Sequence, residues 1–498
     1  MLAPALAFVG SGCLLVLEIV AARLIAPDLG VSLYTWTSVI GVVLAGVTLG
    51  NFLGGRLADR RPDTSTLALL YLAGSAAALV VLGVLQVVHS IELPATAPAL
   101  LQVVWVTALL FLLPATLLAM PTPLLTRLSL ASVEEGGRVV GRIQAAAALG
   151  SIVGTFLTGF FLISWFGTRH IVAGIACVLL VLCVLSRPRW LGRPRGVSTA
   201  AGLLTIIALA GVAVGAGWAA GNACLRESNY YCITLVPGPS VRASERTLEL
   251  DGLPHATVDL ADPAKLTYSY EGLYASILKA AYPLHSRLDA FFLGGGGYVF
   301  PRWLEAHYRG GSVVAEIDPA VTAVAERYLG LRPSARLRVR TGDARRVLAG
   351  LPASDRYDAI IGDAFNGMEV PWQLTTRQFD ALVAAHLRSR GILLVNLIDG
   401  VHDDLLRSEL RTLQQVFPYV TVVAAPGAWP PGPVRISYVL VASKAAPSER
   451  LPVVSPVSLD RFVAGGHSVV LTDDHAPVEQ LLAPVSAQLL RAQLETGG

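Results

Sequence analysis

A glycine run and three acids in the second half of the chain carry its most specific chemistry. Gly294-Gly295-Gly296-Gly297 is followed by Glu316, Asp343 and Asp363. A glycine turn lets a ligand approach the backbone and opens a helix N-terminus, where anions are welcome. An acid about 20 residues further on can take ribose hydroxyls, so the spacing to Glu316 suits a nucleoside ligand. Asp343 and Asp363 continue the same series of acids along the chain. The alternative for Asp343 and Asp363 is simply to cap helices or turns.

These residues have value only if one scaffold brings them together. Apolar, β-forming runs over 288–293, 312–317, 337–340, 357–361, 391–397 and 438–442 read as strands. Helical patterns follow the first two, to about residue 308 and over 320–329. Strands alternating with helices imply a parallel sheet covered on both faces. Ligands of such sheets bind at the carboxyl ends of the strands. The glycine turn ends the first strand, Glu316 the second, Asp343 the third and Asp363 the fourth. Upstream, residues 226–260 alternate and contain the turn Asp251-Gly252, which predicts a small antiparallel region. A helix is expected over about 268–281.

The first part of the chain is of another kind. The protein has 498 residues, 54% of them hydrophobic and only 15% charged, with a mean hydropathy of +0.60. Soluble domains carry about 25% charged residues, so part of this chain meets lipid. Residues 1–222 hold 12 Arg, no Lys and 7 acids, a net of +5, while the remainder nets −2. A formal net charge of +3 argues against a nucleic-acid partner. Seven stretches are apolar enough to span a bilayer: 3–26, 32–55, 66–89, 97–120, 139–164, 169–186 and 198–220. The 97–127 region is interrupted by Pro114, Pro121 and Pro123. No cleaved signal peptide is read at the start, because no basic region precedes the first span. Gly46, Gly50 and Gly54, and again Gly150 and Gly154, recur every fourth residue, a spacing that lets helices approach closely.

Arg-rich loops follow the second, fourth and sixth spans, which places them and the N-terminus in the cytoplasm. Seven crossings would then deliver the rest of the chain to the outer face. Cys224 and Cys232 flank that junction, and a disulfide between them suits an outward-facing segment. Cys13, Cys177 and Cys183 fall in apolar spans and read as packing residues. No Cys/His cluster has metal-binding spacing.

Residues 226–445 resemble the spermidine synthase (polyamine aminopropyltransferase) family. The matching segments are Glu227-Ser228-Asn229-Tyr230, Leu250-Asp251-Gly252, Glu271 in a tyrosine-rich helix and the glycine run. They continue through Glu316-Ile317-Asp318, Gly342-Asp343-Ala344 and Tyr357-Asp358-Ala359-Ile360-Ile361-Gly362-Asp363. The whole chain is similar to membrane-fused members of that family, through 19–24, Asp363-Ala364-Phe365 and 471–479. The phrase at 54–61 also resembles a loop of major-facilitator transporters, but seven spans are too few for that fold.

The resemblance implies a multi-pass helical domain over 1–222, a small β region with a helix over 223–287, and a Rossmann-like domain of S-adenosylmethionine-methyltransferase type over 288–498. It implies no tightly bound cofactor. The co-substrate would be decarboxylated S-adenosylmethionine, or S-adenosylmethionine itself, held by Gly294, Gly296, Glu316, Asp318, Asp343 and Ala344. Asp363 would take a proton from the attacking amine of putrescine or a similar acceptor. Asp251, Tyr270, Glu271 and Asn366 would border that amine. The expected partners are these small molecules, the cell-membrane bilayer and a second copy of the chain.

The sequence also departs from the family. Gly297 stands where the family has an Asp that grips the aminopropyl ammonium, and Asn366 replaces the second Asp of the catalytic loop. Tyr231 and His255 occupy two glutamine positions. Two other readings therefore stand beside aminopropyl transfer: methyl transfer from intact S-adenosylmethionine, and a non-catalytic binding module associated with transport. The side of the soluble half is likewise divided, since loop charges place it outside and the donor implied by the resemblance is made inside. His255 reads as a hydrogen-bonded turn residue before it reads as a base. Asp473 and Asp474 either cap the last helix or tie the tail to the site.

Overall fold

The computed structural model describes residues 2–29, 33–88, 99–132, 134–186, 224–240, 243–365, 370–400, 402–423, 429, 431, 435–446 and 454–485. The chain divides after Asn229 into two compact units.

The first unit is helical. Its helices are α1 (Leu2–Leu29), α2 (Leu33–Arg60), α3 (Thr64–Val88), α4 (Ala99–Ala119), α5 (Pro121–Ser129), α6 (Gly136–Leu157) and α7 (Thr168–Ser186). A π turn over Thr158–Leu162 extends α6. Among the described residues, six helical stretches are long and apolar enough to cross a membrane. The proline-rich region is one of them, over Val103–Ser129, with Pro114 inside α4 and Pro121 opening α5. The apolar stretch 198–220 and the Arg-rich loop before it lie outside the described residues.

The recurring glycines sit where helices touch. A Cβ on Gly50 would lie 2.3 Å from the Thr116 carbonyl oxygen of α4, and one on Gly54 2.6 Å from that of Met120. One on Gly150 would lie 1.9 Å from the Phe8 carbonyl oxygen of α1. In lipid, close backbone approach and its dispersion contacts take the place of hydrophobic burial as the glue.

The second unit opens with an antiparallel meander, β1 (Cys232–Pro237), β2 (Glu245–Leu250) and β3 (Leu253–Asp259). Asp251 and Gly252 make its tight turn with φ of 50° and 76°. Helix α8 (Ser269–Ala281) follows. The α/β part comprises β4 (Ala290–Leu293), α9 (Val299–His307), β5 (Ser312–Glu316), α10 (Pro319–Tyr328), β6 (Leu337–Thr341), α11 (Ala344–Ala349) and β7 (Tyr357–Gly362). It continues with α12 (Arg377–His386), β8 (Leu387–Asp399), α13 (Asp404–Leu413), β9 (Tyr419–Val423), β10 (Ile436–Ser443) and α14 (Pro456–Ala464).

The sheet order is β9-β10-β8-β7-β4-β5-β6. Strands β4 to β8 pair in parallel, and β10 runs antiparallel between β8 and β9. This is a Rossmann-like, doubly wound arrangement with an antiparallel strand near one edge. Both faces are buried: Phe292, Val314, Ile361 and Leu394 point into one apolar cluster, and their neighbours Phe291, Val313, Ile360 and Leu393 into the other. Strand β9 was not anticipated from sequence.

Candidate functional site

The strand order reverses between β4 and β7, and ligands of doubly wound sheets bind outside the carboxyl ends at such a point. Gly294 ends β4 and Asp363 follows β7. The two tips are locked together, for the Asp363 amide donates to the Leu293 carbonyl at 3.1 Å. Gly294 has φ of +94°, and a Cβ there would lie 2.7 Å from the Asp363 carbonyl oxygen. Only glycine meets both demands.

Glu316 ends β5 beside this turn. Its Oε2 accepts from the amides of Gly295 at 2.8 Å and Gly296 at 3.4 Å, and its Oε1 accepts from that of Asp318 at 2.9 Å. Burial pushes its carboxyl pKa up, against these three donors. Glu316 therefore shapes the glycine turn in this structure. Asp318 caps α10 by accepting from the Ala320 amide at 2.8 Å. Asp343 caps α11 by accepting from the Arg346 amide at 2.9 Å, and Ala344 is the buried first residue of that helix. The capping alternative thus holds for Asp343, but all three acids still share one neighbourhood. Tyr230 feels all of them: burial first, then the negative charges of Asp318, Asp343 and Glu316, raise its hydroxyl pKa.

Among the described residues Asp363 caps no helix. Its Oδ2 accepts from the Tyr270 hydroxyl at 3.0 Å and its Oδ1 from the Asn396 amide at 3.0 Å. Burial raises its pKa, and the two donors pull it down again. Glu271, one residue after Tyr270 on α8, accepts from the Thr267 and Tyr268 amides, both at 3.0 Å. Burial pushes Glu271 to about 7. Tyr274 donates to the Gly362 carbonyl at 3.3 Å and fastens α8 to the tip of β7.

These groups open into a cavity of about 390 Å³. Tyr270, Glu271, Gly294, Gly296, Asp363 and Asn396 all line it, with His255 on one wall and Arg435 on another. Asp251 is placed differently: its Oδ1 accepts from the Cys232 amide at 2.8 Å and braces the β1–β2 hairpin. Asn366 lies outside the described residues. Cys224 and Cys232 are disulfide-bonded, whereas Cys13 and Cys177 are free thiols. Among the described residues no cluster could hold a metal ion.

Sequence reasoning missed Asn396 and Arg435. The signal for Asn396 was present, as a lone amide inside the apolar run Leu393-Leu394-Val395-Asn396-Leu397. Its Oδ1 is buried and accepts no hydrogen bond. His255 is hydrogen-bonded as expected, but in strand β3 and not in a turn, with Nδ1 donating to the Leu253 carbonyl at 2.9 Å. That tautomer leaves a lone pair on Nε2, which is buried and unpaired, and burial lowers the ring's pKa so that it stays neutral. At Gly297 a Cβ would lie 2.6 Å from that of Ala256, so the position is closed to side chains as well as lacking one. Asp473 settles its own alternative by binding Arg345 of α11 in a fork at 2.7 and 2.6 Å, which ties the tail to the helix behind Asp343.

No known protein-family pattern matches the chain. It is 42% identical over 125 residues to a polyamine aminopropyltransferase of Vibrio vulnificus, which covers 25% of this chain and 41% of the relative. It is 31% identical over 128 residues to a probable polyamine aminopropyl transferase of Bifidobacterium longum, which covers 25% of this chain and 28% of the relative. The chain thus spans well under half the length of these curated relatives. Among solved structures, a probable spermidine synthase from Corynebacterium glutamicum aligns over 48% of this chain and 93% of its own, at 24% identity and a TM-score of 0.43. A spermidine synthase in complex with the transition-state analogue AdoDATO aligns over 54% and 87%, at 17% identity and a TM-score of 0.36.

Proposed function

We propose that this chain is a membrane-embedded transferase of the polyamine aminopropyltransferase kind. It would move an aminopropyl group from a decarboxylated S-adenosylmethionine-type donor to an amine. One observation carries the reading: Asp363, half-buried at the reversal point of the sheet, has both oxygens held and shares a cavity with the glycine turn. In this reading the helices before residue 222 anchor the chain in a bilayer, 223–287 supplies Tyr270 and Glu271, and 288–498 binds the donor.

The chemistry follows from charge. A protonated amine has no lone pair, so it must be oriented and deprotonated before it can attack. Asp363, kept from turning by Tyr270 and Asn396, would receive that proton. The amine nitrogen then bonds to the carbon beside the sulfonium. The carbon–sulfur bond breaks and its electron pair neutralises the sulfur, giving a thioether nucleoside. In-line placement supplies most of the rate. The glycine turn, braced by Glu316, would seat the nucleoside, with Asp318 and Asp343 at its edge.

Gly297 supports a second reading. With no room for an acid there, the aminopropyl ammonium loses its usual anchor, which favours methyl transfer from the intact donor. Calorimetry on the full-length protein in detergent separates the two. Tighter binding of the decarboxylated donor supports aminopropyl transfer, and tighter binding of intact S-adenosylmethionine supports methyl transfer. Binding of neither refutes both.

A further inference from the structure

The two sides of the reversal point differ in charge, and this bears on the acceptor. The glycine turn and Glu316 belong to β4 and β5, on one side of Asp363. On the other side lie β8 and then β10. Strand β10 runs antiparallel to β8 with Ile436 opposite Asp399 and Ser437 opposite Ile398. Its start therefore stands at the same sheet edge as Asp363. Asn396 and Ile398 of β8, and Arg435 and Ser437 at the start of β10, are alternate residues that line the same cavity.

Both acids of this cavity are already engaged, Glu271 by two backbone amides and Asp363 by Tyr270 and Asn396. Arg435 is different. Among the described residues its guanidinium makes no ion pair or hydrogen bond, and the residue lines the cavity while staying exposed. Extended beyond the last paired residues, the register puts Arg435 opposite Gly400. That is four residues past Asn396, or roughly 13 Å of backbone at the rise of a strand. Two side chains reaching into one cavity shorten this to the length of a short carbon chain. An acceptor whose amine sits at Asp363 and Asn396 would bring its far end to Arg435.

We infer that the acceptor is a primary amine on a short carbon chain that also carries a carboxylate, with Arg435 as the residue that reads that carboxylate. The inference rests on the transferase reading above and names its acceptor class. A diamine would bring a second ammonium up to an arginine, and like charges at close range disfavour binding. A carboxylate matches the planar fork of a guanidinium, which can grip it with two parallel hydrogen bonds. The unpaired Oδ1 of Asn396 supplies an acceptor for an N–H of the incoming amine, next to the carboxylate that takes its proton. The transfer step is unchanged: a C–N bond forms, the C–S bond breaks, and the amine proton passes to Asp363. Arg435 is three strands from β4, about 14 Å, which places it away from the nucleoside side.

The test uses full-length protein in detergent, decarboxylated S-adenosylmethionine as donor, and matched acceptors: putrescine against ornithine and 4-aminobutyrate. Product is read by mass spectrometry. The expected result is a kcat/KM at least tenfold higher for a carboxylated acceptor than for putrescine. Arg435→Gln should raise the KM for that acceptor at least tenfold, with kcat and donor affinity nearly unchanged. Arg435→Glu should turn the preference toward putrescine, which a purely structural arginine would not do. Preference for putrescine in the unaltered protein, with Arg435→Gln inert, overturns the inference and leaves the transferase reading intact. An Arg435→Gln effect confined to binding of intact S-adenosylmethionine also overturns it, by assigning Arg435 to the donor carboxylate. Failure of the unaltered protein to bind the decarboxylated donor refutes the transferase reading itself, and the acceptor class falls with it.

Discussion

The Tyr270 hydroxyl donates to Asp363 Oδ2 at 3.0 Å, across 93 positions of sequence. The bond joins the helix that follows the small β meander to the tip of the central sheet. It fixes the carboxylate plane while Asn396 holds the other oxygen. A hydrogen bond to a charged group contributes about 1.5–3 kcal/mol, which is roughly tenfold to a hundredfold in rate if it is fully expressed in the transition state. Tyr270→Phe should lower kcat by that factor and leave donor affinity unchanged. Single-turnover kinetics checks this, and an unaltered rate would show the bond to be passive.

Removing the carboxylate itself is the stronger test. Asp363→Asn keeps the shape and the contact to Asn396 but loses the proton acceptor. Turnover should vanish while calorimetry still detects donor binding. Unchanged turnover would refute the role proposed for Asp363.

The rate should also depend on pH in a stated direction. Burial raises the Asp363 pKa and puts Glu271 at about 7. A base works only when deprotonated, so kcat/KM should climb with pH along a limb displaced above the ordinary carboxylate value of about 4. Tyr270→Phe removes a donor that favours the charged form, so the limb should move higher still. Glu271→Gln should leave a limb in place if Asp363 is the base. A limb at the ordinary value in the unaltered protein contradicts the burial seen here.

A second buried pair governs stability. Asp380 on α12 and Glu409 on α13 are each 2% exposed, and each leaves one oxygen unpaired. Burial raises both pKa values well above the usual range, and the charge of Asp380 raises Glu409 further. The folded state therefore holds protons that the unfolded chain releases near pH 4. Stability is full below that pH and declines as pH rises toward the folded values. Asp380→Asn removes one of the titrating groups. Its melting temperature should fall less than that of the unaltered protein between about pH 5 and 8, as read by thermal melts across that window. Parallel curves for the two proteins would count against the pair.

In the helical unit, Gly50→Leu should separate α2 from α4. Its Cβ would meet the Thr116 carbonyl oxygen at 2.3 Å and the Ala119 Cβ at 2.8 Å. Overpacking costs on the order of 1–3 kcal/mol, so a lower melting temperature in detergent is expected. Gly55→Leu is the control, because a Cβ there meets nothing within 4 Å. Equal losses for the two variants would mean that Gly50 is not a packing residue.

Most of the scaffold was legible in the sequence. Short apolar runs marked the five sheet strands that stand in parallel, four of them ending in glycine or acid, and alternation marked the small meander. The run Tyr419-Val420-Thr421-Val422-Val423 was overlooked although it is rich in β formers, because it lacks a polar tip to mark its end. Glu316 and Asp343 were placed at their strand ends correctly. For Asp343 helix capping was one of the two readings open, whereas the hold of Glu316 on the glycine-turn amides was not foreseen, because those amides compete with any ligand for the same oxygens.

The sequence alone determined the long apolar helices, the alternation of strands and helices, and the position of each acid along its strand. These follow from local patterning, which any stretch of chain expresses without reference to the rest. Only the tertiary structure decided that Asp363 is held by Tyr270 and Asn396, that Gly297 has no room for a side chain, and that Arg435 shares their cavity. Those facts depend on strand order and register, which bring together groups dozens of positions apart, and on the space left between them once both faces of the sheet are packed.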